Sequence, residues 1–441
     1  MKKVFVSETP QSIGKDVTLC GWVSNLRDHK KIVFIDLRDS SGIVQVVGDE
    51  KLKDLHPEDV VCIEGTVKKR PEKLVNKKLA TGEIEIEAKN FKVLSRSETP
   101  PFDMGKEELG VTLPTLLDYR SLTLRHPKIS AIFKVQASLL EGFRKVSKDL
   151  QCTEVIVPEI TITATEGGAE VFGFDYYEHT ASLTQSPQLY KQMVIPALER
   201  VFLVAHAYRA EPSVTTRHLA ESVQLDCEFG FVEFEELLDL LEEVAIKTFA
   251  YAEKTSVREL ETLGVEPILF GKAPRLTLLE AQEVIKKRTG RDVVGEKDLS
   301  PEDEVELCKW SHEEKKSDFV IVTHFPTSKR AFYTLPDPNN PEVSLSYDVL
   351  FKGLEIASGS QRIHDYEQLI KTIKDRGMNP DDFKMYLMAF KYGMPPEGGF
   401  SFGLERLTKT MLNLPNVREA ALFPRDMERV DVRLSQKDKK S

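Results

Sequence analysis

The chain has 441 residues, 41% hydrophobic and 30% charged, with a formal net charge of −10. That balance describes a folded chain of two or three domains and excludes a disordered one, and no apolar run approaches the roughly 20 residues of a membrane span. The start, MKKVFVSETPQSIGKD, lacks the apolar stretch of a signal peptide, so a cytoplasmic location is expected. The charge is unevenly spread: residues 1–94 hold 17 Lys+Arg and 15 Asp+Glu, or +2, which leaves −12 on the remainder. A mildly basic leading unit on an acidic body permits local phosphate binding while limiting promiscuous binding. Cys20, Cys62, Cys152, Cys227 and Cys308 are scattered with no C-x-x-C pair, and reduced, mostly buried thiols are expected rather than disulfides or zinc ligands.

In chain order, VTLCGWV (17–23), KIVFIDLRD (31–39), GIVQVVG (42–48), DVVCIEGTV (59–67) and GEIEIEAKNFKVL (82–94) read as short strands bounded by turn residues. Five strands in so short a span suit a small barrel. The OB-fold is the commonest such barrel that binds nucleic acid, with another barrel or a sandwich as the alternative. SRSETPPFDMGKEELG (95–110) is polar with a Pro-Pro step and opens a linker taken to residue 127. From 128 to 150, Ile129, Ile132, Phe133, Leu139, Leu140, Phe143 and Val146 fall along one helical stripe. CTEVIVPEI (152–160) reads as a strand and 233–255 as a long acidic helix. DFVIVTHFP (318–326), RAFYTL (330–335) and VSLSYDVLFKGLEIASG (343–359) read as strands, with helices at 366–376 and 380–391. Grouped strands without regular βαβ alternation predict an α+β protein: a barrel over 1–94, a linker over 95–127, and a mainly antiparallel sheet flanked by helices over 128–441.

No G-x-x-x-x-G-K-[ST] sequence occurs, which excludes a P-loop. AYRAEPSVTTRHLAE (207–221) instead concentrates two arginines, a glutamate and a histidine between apolar segments. Arg209 and Glu211, two apart, are expected on one face of a strand, followed by a turn at Pro212 and Ser213. An arginine in apolar surroundings is costly without an anion. An internal pair with Glu211 or Glu228 is the plain alternative to a ligand. TATEGGAEVF (163–172) frames a Gly-Gly turn with Glu166 and Glu170, and TQSPQLYKQ (184–192) places Gln188 and Lys191 on a short helix. LEIASGSQRIHD (354–365) carries Glu355, Ser358 and Arg362 along a strand and turn. GGFSFGLERL (398–407) is glycine-rich before an apolar helix, where its glycines could simply form a tight turn. Together these carboxylates and spaced cations suit a small zwitterion, a triphosphate and a divalent cation.

These segments resemble, in order, the signatures of class II aminoacyl-tRNA synthetases. CTEVIVPEI is similar to the first, whose proline, here Pro158, lies at that family's dimer interface; YRAEPSVTTRHL is similar to the second and GGFSFGLERL to the third. TEGGAEVF, QSPQLYKQ, SYDVLFKGLEIASGSQRIHD and FPRD (423–426) look like the compact aspartyl members, with the OB unit first. The resemblance implies a homodimer that joins L-aspartate to tRNA with ATP and Mg²⁺. Arg209 would hold the α-phosphate and the attacking carboxylate, and Glu211 the adenine amino group. Arg217, His218 and Leu219 would embrace the nucleotide. Arg406 would grip the γ-phosphate, with Gly403, Leu404 and Glu405 against the adenosine. Glu355 and Ser358 would coordinate Mg²⁺. Glu166 and Asp226 would take the substrate ammonium, Gln188 its backbone, and Arg362 with Lys191 its side-chain carboxylate. In the barrel, Phe34 would stack on an anticodon base with Arg27 and Gln45 beside it, although an alternating strand could equally bury Phe34 in the core. Ser401 stands where the third signature usually has glycine, and Val214 where relatives show a polar residue. The rivals are an asparaginyl enzyme and a non-catalytic tRNA-binding paralogue. The choice of tRNA(Asp) alone or tRNA(Asn) as well rests on barrel positions near Ser24 and in the loop 69–82.

Overall fold

The computed structural model describes residues 3–77, 79–162, 171–211 and 214–437. The chain forms two compact units, Met1–Thr112 and Leu113–Ser441.

In the first unit, β1 (Asp16–His29), β2 (Ile32–Asp39), β3 (Gly42–Gly48), β4 (Val60–Lys69) and β5 (Ile84–Ser95) close into a barrel in the order β1-β2-β3-β5-β4. Strand alternation decides what fills it. Val33, Ile35, Leu37, Val44 and Val46 are fully buried inside, while Phe34, Asp36 and Gln45 alternate to the outer face. The antiparallel register of β1 on β4 sets Cys20 directly opposite Cys62, and the two form a disulfide. The expectation of five reduced thiols is therefore corrected for this pair; Cys152, Cys227 and Cys308 are free and buried. Two cysteines 42 residues apart carry no pairing signal in sequence, because only the register brings them together.

The boundary between units falls after Thr112, inside the segment expected as a linker. Helices Leu113–Asp118 and Arg120–Thr123 already belong to the second unit. Arg120 is buried there and donates to the carbonyls of Glu419, Ala421 and Leu422.

The second unit continues with helix Pro127–Asp149, capped by His126 and with proline at its first position. Next come β6 (Thr153–Glu154) and a small three-stranded sheet of β7 (Ile160–Thr161), β8 (Gly173–Tyr176) and β9 (His179–Leu183). After helix Gln188–Met193 run β10 (Arg200–Tyr208), β11 (Glu221–Gly230), helix Phe234–Thr255, β12 (Arg275–Thr277), helices Leu278–Thr289 and Pro301–Trp310, and β13 (Phe319–Thr323). The chain continues through the pair β14 (Pro336–Asp337) and β15 (Asn340–Ser344), then β16 (Ser346–Phe351), β17 (Leu354–Gln361) and β18 (Glu397–Gly403), which leads into helix Leu404–Met411. The main sheet has the order β12-β13-β16-β17-β18-β11-β10-β6 and is antiparallel except at its two edges. Helices Pro127–Asp149 and Phe234–Thr255 bury Leu139, Phe143, Leu241 and Phe249 in one core with the sheet residues Phe229, Phe400 and Phe351. No helix among the described residues is long and apolar enough to cross a membrane.

Three expected strands differ. CTEVIVPEI is not one strand: Thr153–Glu154 pairs in parallel with β10, and its last residue, Ile160, opens β7 against β9. RAFYTL forms no strand, because Phe332 and Tyr333 are buried in an aromatic cluster with Phe383 and Tyr386. The run 343–359 is a hairpin turned at Lys352 and Gly353, both at positive φ, rather than one strand.

Candidate active site

The alternation of two strands explains why a charged site can sit on a hydrophobic sheet. On β11, Leu225, Cys227 and Phe229 face the core while Gln224, Asp226 and Glu228 take the other face. On β18, Phe400 and Phe402 face the core while Gly399, Ser401 and Gly403 alternate with them. Register then aligns Asp226, Ser401, Ser358 and Asp348 across β11, β18, β17 and β16, with Glu228, Gly399 and Ser360 in the next row. The glycines of the third signature are thus strand residues, not a tight turn. A Cβ at Gly399 would lie 2.1 Å from the Glu228 carboxylate and 2.2 Å from the Cys227 carbonyl, so nothing larger fits.

Over this polar face lies a cavity of about 450 Å³, lined among the described residues by seven Lys and Arg side chains and three Glu. Lys191, Arg217, Arg330 and Arg362 are held by carboxylates behind this wall, so their remaining donors are fixed in place for an anionic ligand. Arg209, Glu211, Arg217, His218 and Leu219 line it, as do Gly403, Glu405 and Arg406, together with Glu355, Ser358, Gln188, Lys191 and Arg362. Arg209 and Glu211 reach it from beyond the end of β10, joined by a tight turn in which the Glu211 N–H donates to the Arg209 carbonyl. The expected shared strand face is corrected accordingly. Pro212 and Ser213 lie outside the described residues, as do Glu166 and Glu170. Leu404 does not line the cavity; its side chain is buried in the core.

At one end is a buried charge cluster. Lys191 Nζ is 2.6 Å from Asp226 and 3.1 Å from Glu228. Burial opposes the charge on Lys191, but these two carboxylates outweigh it and raise its pKa. Arg362 donates to both Glu228 oxygens at 2.8 and 3.2 Å, and also to Gln188, Ser360 and the Gly399 carbonyl. Glu228 is thus part of the ion pairing, held by Arg362 and Lys191. The buried Gln188 amide nitrogen has no partner among the described residues, an orphan donor facing a site that needs an acceptor. Asp226 sits one layer behind the cavity wall, fully buried, and takes the Ser401 hydroxyl at 2.9 Å. Ser401 also lies 2.7 Å from Gln224 and has no positive φ, so serine in the place of the usual glycine costs no backbone strain. Behind Arg362, burial and the nearby Glu228 push the Glu397 carboxyl well above the usual range.

At the other end, a bulge between β16 and β17 sets two residues of β17 against one of β16, so Glu355 and Ser358, three apart, can share a face. Arg406 donates to the Glu355 carbonyl at 3.0 Å and lies 3.3 Å from its carboxylate. Desolvation and the Asp348 charge raise the Glu355 carboxyl to about 7 against the pull of Arg406 and Arg330. Asp348 and Arg330 were not singled out in sequence, yet Arg330 clamps Asp348 bidentately at 3.0 and 2.7 Å and reaches Ser358 at 3.2 Å. Asp348 was hidden in an apolar hairpin strand, and only its register opposite Ser358 marks it. Glu355 and Ser358 offer hard oxygen donors beside a second carboxylate, a set that fits Mg²⁺. Among the described residues no group of three or more His, Cys, Asp or Glu could hold a metal. The protein would supply part of a shell that phosphate and water oxygens complete. Burial and then Arg406 lower the pKa of His218, which favours a neutral ring.

In the barrel, Arg27, Phe34 and Gln45 share the outer face. Arg27 lies opposite Phe34 and donates to Asp36 at 2.9 Å and to Gln45 at 3.3 Å, and the Phe34 ring meets His29 edge-on. The core alternative for Phe34 is excluded.

Residues 112–427 match the family of class II tRNA synthetases (D, K and N), and residues 17–94 match the OB-fold nucleic acid binding domain. The chain is 43% identical over 432 residues to the aspartate–tRNA(Asp/Asn) ligase of Thermus thermophilus, covering 97% of this chain and 99% of the relative. It is 41% identical to the protein of the same description in Deinococcus radiodurans, covering 98% and 99%. The asparaginyl-tRNA synthetase of Pyrococcus horikoshii, solved with asparaginyl-adenylate, superposes with a TM-score of 0.89 at 33% identity, covering 98% and 99%. With a barrel and an antiparallel sheet carrying these side chains in the matched order, the chain belongs to the class II tRNA synthetases of the D, K and N group.

Proposed function

We infer that the chain is an aspartate–tRNA ligase that charges tRNA(Asp) and extends to tRNA(Asn). The observation that carries the amino-acid assignment is the buried set Lys191, Arg362, Asp226 and Glu228, with the orphan Gln188 amide beside it. Two fixed cations facing a side-chain carboxylate satisfy it, whereas a neutral amide would leave part of the site unpaired, a difference that can reach ~10⁴-fold. Relatives at 43% and 41% identity act on both tRNAs by their descriptions, which supports the broader tRNA range.

In the first step a carboxylate oxygen of aspartate attacks the α-phosphorus of ATP. The bond to the bridging oxygen breaks, and pyrophosphate leaves with its electrons. The terminal ribose hydroxyl of tRNA then attacks the acyl carbon and AMP departs. Arg209 holds the α-phosphate and the attacking carboxylate close together, removing their mutual repulsion; Arg406 takes the γ-phosphate and Glu211 the adenine. Glu166 receives the substrate ammonium, while Asp226, buried behind the cavity wall, holds Lys191 and the Ser401 hydroxyl in place. Glu355 and Ser358 would hold Mg²⁺, which when bound supplies positive charge to the polyphosphate. Phe34, Arg27 and Gln45 meet the anticodon. A second copy covers the surface near Pro158, where Ile156 and Ile162 are 99% and 85% exposed, and the protein works in the cytoplasm.

Pyrophosphate exchange is expected with aspartate and not with asparagine or lysine. The purified protein should charge transcripts of both tRNA(Asp) and tRNA(Asn). Exchange driven by asparagine overturns the amino-acid assignment, and charging of tRNA(Asp) alone overturns the broader range.

A further inference from the structure

Helix Pro301–Trp310 lies outside every signature segment, yet one of its side chains ends at the nucleotide site. Its start is fixed by a reciprocal capping box between Ser300 and Asp303, and Asp303 is braced by Arg291 at 2.7 Å. Its inner face is locked by Leu307 and Cys308 in a core with Val320, Val322 and Leu350. A helix pinned at its start and along its face presents the next residue, Glu304, with little freedom. Glu304 is 8% exposed. One of its oxygens accepts from Arg217 Nη1 at 2.8 Å and from the backbone N–H of Glu355 at 3.2 Å.

That single oxygen therefore ties the loop carrying Arg217 to the strand residue carrying the carboxylate of Glu355. The Gly353 carbonyl takes Arg217 Nη2 at 3.5 Å. A guanidinium has five N–H donors, so donors remain free to face the cavity that Arg217 lines. An arginine on a loop without such an anchor would have to be ordered by ATP itself, at a cost in conformational entropy.

We infer that Glu304 is a positioning residue for ATP, fixing Arg217 against the start of β17 before the nucleotide arrives. This rests on the reading of Arg217 as a nucleotide ligand. The helix–strand segment between the second and third signatures is then part of the ATP site rather than a mere connection.

Steady-state pyrophosphate exchange on the full chain tests this with four proteins: E304A, E304Q, R217A and the double variant. E304A is expected to raise the KM for ATP about tenfold, with KM for aspartate unchanged. E304Q, which keeps an acceptor oxygen, should fall between E304A and the parent. In the R217A background, E304A should add less than about twofold, because the two act as a unit. Equal rises in both KM values, or multiplicative effects in the double variant, overturn the inference by assigning Glu304 a purely structural role. A raised ATP KM in R217A with none in E304A overturns it alone. An unchanged ATP KM in R217A overturns the reading of Arg217 and the inference with it. Thermal midpoints within a few degrees of the parent exclude unfolding as the cause.

Discussion

Arg362 shows how one side chain joins folding and recognition. It satisfies Glu228 with two donors and spends others on Gln188, Ser360 and the Gly399 carbonyl. Lysine has the charge but not the planar fork. Arg362→Lys is therefore expected to raise the KM for aspartate by about 100-fold or more, measured by pyrophosphate exchange; an effect below fivefold would contradict the proposed clamp. Glu405 allows a prediction with a definite sign. Burial raises its carboxyl from the ordinary value of 4.5 to about 7, while both oxygens face the Val223 N–H. Between those values the folded state binds the proton that the unfolded state has lost. The stability from the protonated group is thus complete below about pH 4.5 and is lost as pH climbs through about 7. Glu405→Gln, which cannot ionise, should gain on the parent by up to roughly 3 kcal/mol between pH 4.5 and 8. Denaturant unfolding of both proteins across that range reads the difference.

The decisive element is the pair β11 and β18. Their alternation separates an apolar face from a charged one, and their spacing is set by Gly399. An alanine there meets the Cys227 backbone as well as Glu228, and backbone cannot swing aside as a flexible side chain can. Gly399→Ala is expected to destabilise the second unit by about 1–3 kcal/mol and to abolish aspartate activation through displacement of Glu228. Denaturant unfolding with pyrophosphate exchange checks both, and retention of aspartate activation would refute the close-approach argument. The bulge on β17 acts at the same scale: in a regular strand Glu355 and Ser358, three apart, would face opposite sides of the sheet. RAFYTL carries strand-forming residues, but its aromatics find a better burial among helices.

For the whole molecule, charge and function divide between the two units. The near-neutral barrel carries Phe34 on its outer face within an otherwise acidic protein. Phe34→Ala should weaken tRNA binding by about 1–3 kcal/mol, since stacking is lost. The slope of log affinity against log salt should stay unchanged, because that slope counts phosphate contacts and Phe34 makes none. Filter binding over a salt series measures both, and a shallower slope would argue against stacking.

The sequence by itself showed the five barrel strands, and its resemblance to known signatures gave the class of the second unit and about half of the described residues that line its cavity. Those residues carry local signals: period-two alternation, Gly-rich strands, and arginines that apolar neighbours cannot satisfy. Only the tertiary structure decided which groups pair. The Cys20–Cys62 bond, the Arg330–Asp348 clamp and the reach of Glu304 to Arg217 join residues 42, 18 and 87 positions apart. Strand register and helix packing set such contacts, and neither is written in any one local segment.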